Sequence, residues 1–281
     1  MADEKTIEEV PLEAKSPFEL RVGQGRNVPE PDVRAALASG EMGFLHSFTT
    51  GSTVDGPGVR VVAWTAGCMW RCLYCHNPDT WTMSNGRPVS VSRAVEELRK
   101  YRHGLKVMSG GFTLSGGEPL MQHRFAAKLF AAAKAIGIHT ALDSNGYFGD
   151  RLADAELDTI DVVLLDIKAW DPERHRHLTG MDVEPTLAFA RRLAARKRPI
   201  WLRYVLVPGL TDDLAEIGSI AGFAAGLGNV QRVDVLPFHQ MGKFKWKALS
   251  IPYTLETVTP PGTDLIERAI SIFRDAGLTA H

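Results

Sequence analysis

From residue 60 to residue 239 the chain repeats one pattern, a short run of Val, Ile and Leu followed by a longer amphipathic stretch. The short runs are RVVAWTAG (60–67), GFTLSGG (111–117), IHTALDSNG (138–146), DVVLLDIK (161–168), PIWLRYVLVPG (199–209) and VQRVDVLPFH (230–239). Their length and unbroken apolar character predict strands covered on both faces, as in a parallel sheet. Between them, AAKLFAAAKAIG places Leu129, Ala133 and Ile136 on one helical face, and Gly137 supplies the stop. TLAFARRLAARKRP carries a stripe of Leu187, Ala190 and Ala194, with basic residues in its last turn and Pro199 beyond it. TDDLAEIGSIAGFAAG opens with Asp213 three residues ahead of Glu216, the spacing of a capping box. Strands joined by helical crossovers give a βαβ series; the pattern alone leaves open whether it forms an open sheet or a barrel. Residues 1–42 mix Glu, Lys, Pro and Gly without lasting periodicity. They are expected as a poorly ordered tail with a short helix near Pro31–Ala38, ahead of one domain over 43–281.

Five polar residues of these runs fall toward the same end. Asp143, Asp166, Lys168, Arg203 and His239 all fall in or just past the C-terminal part of a predicted strand. Parallel α/β folds place their chemistry at that edge.

Composition narrows the function classes. A chain of 281 residues, 44% hydrophobic and 23% charged, has the make-up of a globular protein with a sizeable core. Its formal net charge of −1 provides no global field for nucleic acid or an anionic membrane. The opening MADEKTIEEV is acidic and lacks the apolar centre of a secretory signal, and no run of 18 apolar residues occurs. A cytoplasmic location is expected, with no membrane or nucleic-acid partner.

All three cysteines lie in GCMWRCLYCHNPDTW, at Cys68, Cys72 and Cys75. A trio cannot form a closed set of disulfides, and such a cluster suits a metal centre. Zinc in a structural site takes four ligands, and His76, bonded directly to Cys75, is poorly placed to be the fourth. A 4Fe-4S cluster on three thiolates keeps one iron open to a chelating ligand. Three buried free cysteines, or a non-catalytic zinc-binding module, stand as the alternatives.

CMWRCLYC matches the CxxxCxxC signature of the radical S-adenosylmethionine (SAM) enzymes. The wider series TVDGPGVR, GGEP, DSNG, LLDIK, LRYVLVPG and LPFHQMGKFKW resembles the glycyl-radical-enzyme activases from about Gly43 to the C-terminus. The resemblance implies a partial, six-stranded parallel βα barrel. It also implies one 4Fe-4S cluster on Cys68, Cys72 and Cys75, with SAM on its open iron. SAM contacts are then expected from Tyr74, Cys75, His76, Gly117, Asp166, Ile167, Lys168 and His239. A monovalent cation is implied at Asp143, Ser144 and Asp166, although threonine is usual at the position of Ser144. Asp55 and Arg203 are implied as the residues that hold the substrate glycine loop. The implied partners are a glycyl radical enzyme and a low-potential electron donor such as flavodoxin or ferredoxin. NPDTWTMSNGRPVSVSRA has no cysteine. That argues against activases with extra clusters and for the pyruvate formate-lyase type. Activation of another glycyl radical enzyme, or radical chemistry on a small molecule, is the alternative within the family.

Overall fold

The structure is a computed structural model that describes residues 33–281. Along the chain come α1 (Val33–Ser39), β1 (Met42–Ser52), β2 (Arg60–Thr65), β3 (Arg87–Ser90), α2 (Val91–Val107), β4 (Gly111–Gly116) and α3 (His123–Ala135). There follow β5 (His139–Ser144), α4 (Asp154–Leu157), β6 (Val162–Asp166), α5 (Pro172–Thr179), α6 (Glu184–Ala195), β7 (Ile200–Leu206) and α7 (Leu214–Leu227). The chain ends with β8 (Val230–Pro237), α8 (Lys243–Ala248) and α9 (Thr263–Asp275).

The eight strands form one sheet in the order β3-β1-β2-β4-β5-β6-β7-β8. From β2 to β8 all neighbours are parallel, and these six are the strands the apolar runs predict. The run of parallel strands does not close on itself, which agrees with the expected partial barrel. Two antiparallel strands, β1 and β3, extend the β2 edge and were not expected. Neither has a strand-like pattern. The outer half of β1 is partly or fully exposed, and β3 is four residues long with Pro88 inside it. At the other edge, β8 is covered by the end of the chain: Val233 N–H donates to Thr279 O, and Val235 N–H to His281 O.

Of residues 1–42, those up to 32 lie outside the described residues, including the start of the helix expected at Pro31–Ala38. Residues 33–42 form α1 and enter β1, so the boundary at 42 falls inside a strand. Arg124 on α3 donates to the Ala38 carbonyl at 2.7 Å, which holds α1 on the surface of the domain.

Helices cover the sheet on two sides of its curve. Leu98, Phe112, Leu129, Phe130 and Ala133 pack the α2–α3 side; Leu202, Ile217, Ile220 and Phe273 pack the α7–α9 side. Each Leu, Ile or Phe among them, fully buried, stabilises the fold by about 1.5–3 kcal/mol. The stripe expected in α3 is buried in full, whereas in α6 Ala194 is only half-buried. Asp213 caps α7 by accepting from the N–H groups of Ala215 and Glu216. Glu216 does not complete a capping box. Its carboxylate accepts from Trp170 N–H and Asp171 N–H, pinning the turn that follows β6.

Candidate active site

At the C-terminal ends of β2, β4, β5 and β6 lies a cavity of about 170 Å³. Cys68, Cys72, Cys75, Tyr74, His76, Gly117, Asp143, Ser144, Asp166 and Lys168 all line it. Four expected residues do not. Ile167 is wholly buried in the core on the α7–α9 side, as the alternation after Asp166 dictates. His239 reaches the cavity only through His76, and Asp55 and Arg203 stand behind Asp143.

The cysteine loop is held by its own backbone. Gly67 N–H donates to Thr80 O, Cys68 N–H to Trp81 O, Arg71 N–H to Thr179 O and Leu73 N–H to Leu178 O. The last two tie the loop to the end of α5. Two glycines of SGGEP let β4 meet this loop closely: a Cβ on Gly117 would stand 2.3 Å from Gly67 O, and one on Gly116 2.1 Å from Thr65 N. Gly116 also sits at φ +119°, where a side chain is strained. The carbonyls freed by that approach are used, since Gly117 N–H donates to Thr65 O and Glu118 N–H to Gly67 O.

Glu118, next to Gly117 in the GGEP stretch, is not among the site residues the sequence analysis expects. Its fully buried carboxyl accepts from Leu120 N–H at 2.9 Å, Ser144 Oγ at 2.8 Å and Asn145 N–H at 2.8 Å. It thereby fastens the loop after β4 to the end of β5. Burial pushes its pKa up to about 7, against the pull of those donors. In Glu118→Gln an amide NH2 would face a backbone N–H. The expected cost is about 1–3 kcal/mol. For a domain of this size that lowers Tm by roughly 3–10 °C. A thermal melt with unchanged Tm would show that Glu118 is not a fastener.

Burial raises all three thiols, with Cys68 pushed up to about 12 and Cys72 higher still. Three thiolates gathered in a buried cavity need a strongly positive centre, which an iron–sulfur cluster supplies. A single zinc ion needs ligands convergent on one point. Among the described residues no three His, Cys, Asp or Glu side chains meet that condition. Three soft thiols in one cavity, the only cysteines of the chain, fit a 4Fe-4S cluster that keeps one iron free of a cysteine ligand.

Opposite the thiols, Lys168 Nζ lies 3.1 Å from Asp166 Oδ2 and 5.7 Å from the centre of the Tyr74 ring. Burial opposes the charge on Lys168, but Asp166 and the thiol side of Cys72 hold its pKa above the ordinary lysine value. His76 and His239 stack at 4.0 Å with 25° between their planes, and His76 Nε2 is 3.1 Å from His239 O. Burial and the neighbouring His239 lower the pKa of His76 to about 4, so it is neutral near pH 7. The hydroxyl of Tyr74 and the indole nitrogen of Trp70 are buried without a partner among the described residues.

Behind the cavity a polar chain crosses the barrel interior. Asp143 Oδ2 accepts from Ser115 Oγ at 2.6 Å and from Arg203 Nη1 at 3.0 Å; Arg203 Nη1 is 3.9 Å from Asp55 Oδ1. Burial works against the charge of Arg203, and Asp143, Asp166 and Asp55 outweigh it. Asp55 has a raised pKa from burial, with Asp143 adding to it. The loop carrying Asp55 is anchored by Arg60, which is fully buried and donates to Thr113 Oγ1, Pro57 O and Phe112 O. Thr113 Oγ1 in turn donates to Asp55 O at 2.6 Å. Ser144 Oγ, an expected cation ligand, donates to Glu118 and accepts from Gly146 N–H at 2.9 Å, leaving one lone pair.

Comparison with known proteins accords with this geometry. A sequence model of the radical SAM superfamily matches residues 62–218. The chain is 41% identical over 238 residues to the pyruvate formate-lyase 1-activating enzyme of Escherichia coli K12, covering 84% of this chain and 97% of that one. It is 44% identical over 234 residues to the pyruvate formate-lyase-activating enzyme of Staphylococcus epidermidis, covering 81% and 93%. Among solved structures, a domain of pyruvate-formate lyase-activating enzyme from Bacteroides vulgatus superposes with a TM-score of 0.50 at 25% identity, over 61% of this chain and 98% of that one. SuiB of Streptococcus suis, crystallised with its precursor peptide SuiA, shares the fold: TM-score 0.59 at 13% identity, over 78% of this chain and 48% of that one.

Proposed function

Because this chain belongs to the radical SAM superfamily, we propose that it activates a glycyl radical enzyme, pyruvate formate-lyase, by abstracting a Cα hydrogen from one of its glycines. The observation that carries this reading is the gathering of three thiols, the SGGEP loop and the Asp166–Lys168 pair in one cavity. Similarity along most of the chain to activating enzymes names the partner.

A 4Fe-4S cluster held by Cys68, Cys72 and Cys75 would supply the electron for reductive cleavage of SAM, the chemistry that would remove the glycine hydrogen. The chain's own residues bind and orient. Lys168, kept charged by Asp166, holds a carboxylate of SAM; the stack of His76 on His239 offers a flat face to its adenine. Gly117, with no side chain, leaves room for the amino end of SAM at the loop it crosses. Asp143, Ser144 and Asp166 offer hard oxygens for a monovalent cation, with Ser144 keeping a single free lone pair for it. Asp55 and Arg203 hold the glycine loop. Three unpaired thiols support a cytoplasmic location, and no helix of the described residues is long and apolar enough to cross a membrane. The electron comes from a low-potential carrier such as flavodoxin or ferredoxin.

The direct test is anaerobic incubation of reduced, iron-loaded protein with SAM and pyruvate formate-lyase. Electron paramagnetic resonance should then show a glycyl radical on the partner; its absence while SAM is being cleaved would reject this partner. Within that scheme, Lys168→Ala should keep the iron content and lose a charge-assisted hydrogen bond to SAM worth about 1.5–3 kcal/mol. SAM binding to the reconstituted variant should weaken about 10- to 100-fold. Iron loss in proportion to the weakening would make Lys168 structural instead.

A further inference from the structure

The short helix α8 is fastened to the cysteine loop along one side. Trp246 Nε1–H donates to the Cys75 carbonyl at 2.8 Å. Lys245 Nζ donates to Asn77 Oδ1 at 2.9 Å and stands 2.9 Å from Asp79 Oδ2. Gly242, just ahead of the helix, packs so closely on His76 that a Cβ there would lie 2.8 Å from His76 Cα. Gly242 and Trp246 are four apart and share the inward face; the helical spacing sends Phe244 and Lys247 to the opposite one. Phe244 is 68% exposed and Met241 72%, two large apolar side chains held side by side in water. Positive charge surrounds them. Lys247 is exposed, with no carboxylate partner among the described residues. Arg71, exposed on the cysteine loop, donates to the Cys68 and Trp70 carbonyls at 2.7 and 2.8 Å. Its guanidinium lies 4.8 Å from the centre of the Trp81 ring, and Trp81 packs edge to face on Trp246 at 5.1 Å. Arg71, Lys243, Lys245 and Lys247 are thus set against the carboxylates of Asp79 and Glu256 alone, which leaves the face positive.

We propose that the outward face of α8 is the docking surface for an acidic flavin carrier protein, a flavodoxin, that delivers the electron to the cluster. This rests on the cluster assignment made above and names the surface its donor uses. The anionic flavin hydroquinone loses one electron and the oxidised cluster gains it; no bond forms or breaks. The chemistry of the patch suits that carrier. The exposed edge of a flavin is an apolar aromatic ring, which Phe244 and Met241 cover. Acidic side chains around the flavin meet Lys247, Lys243 and Arg71, charges that speed encounter more than they tighten the complex. A patch carried by a helix of six residues matches the small, short-lived interfaces of electron-transfer partners. Beneath it the route to sulfur is short: the Trp246 indole, its hydrogen bond to the Cys75 carbonyl, and the Cys75 side chain itself. No residue of α8 lines the cavity, so a carrier docked there does not compete with SAM.

The test combines Phe244→Ala with Lys247→Glu in the iron-loaded holoenzyme and mixes it anaerobically with flavodoxin hydroquinone in a stopped-flow spectrometer. Both side chains are exposed, so iron content, sulfide content and Tm should match the parent. The second-order rate of cluster reduction by flavodoxin at low salt should fall about tenfold or more. Added salt should slow the parent and change the variant little. Dithionite, which needs no docking surface, should reduce both at the same rate, and with dithionite as reductant the variant should form the glycyl radical on pyruvate formate-lyase at the parent rate. Equal rates of reduction by flavodoxin would overturn the proposal. So would slower activation of the partner under dithionite, since the face would then belong to the glycyl radical enzyme. A variant slowed toward reduced ferredoxin but not toward flavodoxin overturns the choice of carrier. Failure of the functional reading looks different: a parent protein reduced normally by flavodoxin that forms no glycyl radical rejects the partner and leaves the docking surface standing.

Discussion

Replacing any one of Cys68, Cys72 or Cys75 by serine should reduce SAM cleavage to below about a thousandth of the parent rate, a barrier increase of more than about 4 kcal/mol. The physical cause is ligand softness: thiolate sulfur suits cluster iron, and a serine hydroxyl is hard and stays protonated near neutral pH. The fold should survive, because the loop is held by backbone hydrogen bonds to Thr80, Trp81, Leu178 and Thr179 and not by the thiols. Circular dichroism and Tm should therefore stay close to the parent while 5′-deoxyadenosine formation and iron content collapse. Full activity in any one of the three variants would end the cluster assignment. A loss of activity accompanied by unfolding would instead make the cysteines part of the core.

Much of this site was legible because its chemistry is written in local spacing. CMWRCLYC needs no tertiary information to announce three thiols on one loop, and Asp166 and Lys168 stand two apart at a strand end. The parallel strands were equally legible, since strands covered on both faces read as unbroken apolar runs. What stayed hidden depends on partners far away in sequence. β1 and β3 form the half-exposed edge of the sheet, so neither carries the apolar signature of the inner strands. Glu118 bonds Ser144 and Asn145, 26 and 27 residues on, and no pattern within SGGEPL shows that its carboxyl turns inward. Glu216 had the right spacing for a capping box, yet Trp170 and Asp171 offered it two backbone donors and won. Ile167 was grouped with its neighbours by resemblance, whereas strand alternation sends its side chain to the opposite face. Trp246 meets Cys75 across 171 residues.

Arg203 is where the largest effect on the partner reaction is expected. Its Nη1 is committed to Asp143, but its Nε–H is buried with no partner among the described residues. An unpaired buried donor on a charged group is costly. The carbonyl of an extended glycine loop would satisfy it, with Asp55 beside it to accept from a loop N–H. Glycine at the reacting position brings its Cα hydrogen close to the 5′ carbon only if that loop is held in register. A misplacement of about 1 Å costs on the order of a hundredfold in rate. Arg203→Ala should therefore slow glycyl-radical formation on the partner about 100-fold. It also leaves Asp143 and Asp55 without their shared cation, so Arg203→Lys is the cleaner companion. Lysine keeps the charge beside the two carboxylates but loses the planar fork and its Nε–H. In Arg203→Lys, SAM affinity should change by less than about threefold while activation of the partner falls by about tenfold or more. The two are read separately, by equilibrium binding of SAM and by the rate at which the glycyl radical signal grows. If Arg203→Lys activates the partner at the parent rate, or if SAM binding falls as far as activation does, the clamp belongs elsewhere. Arg203 would then serve only to neutralise Asp143 and Asp55 inside the barrel.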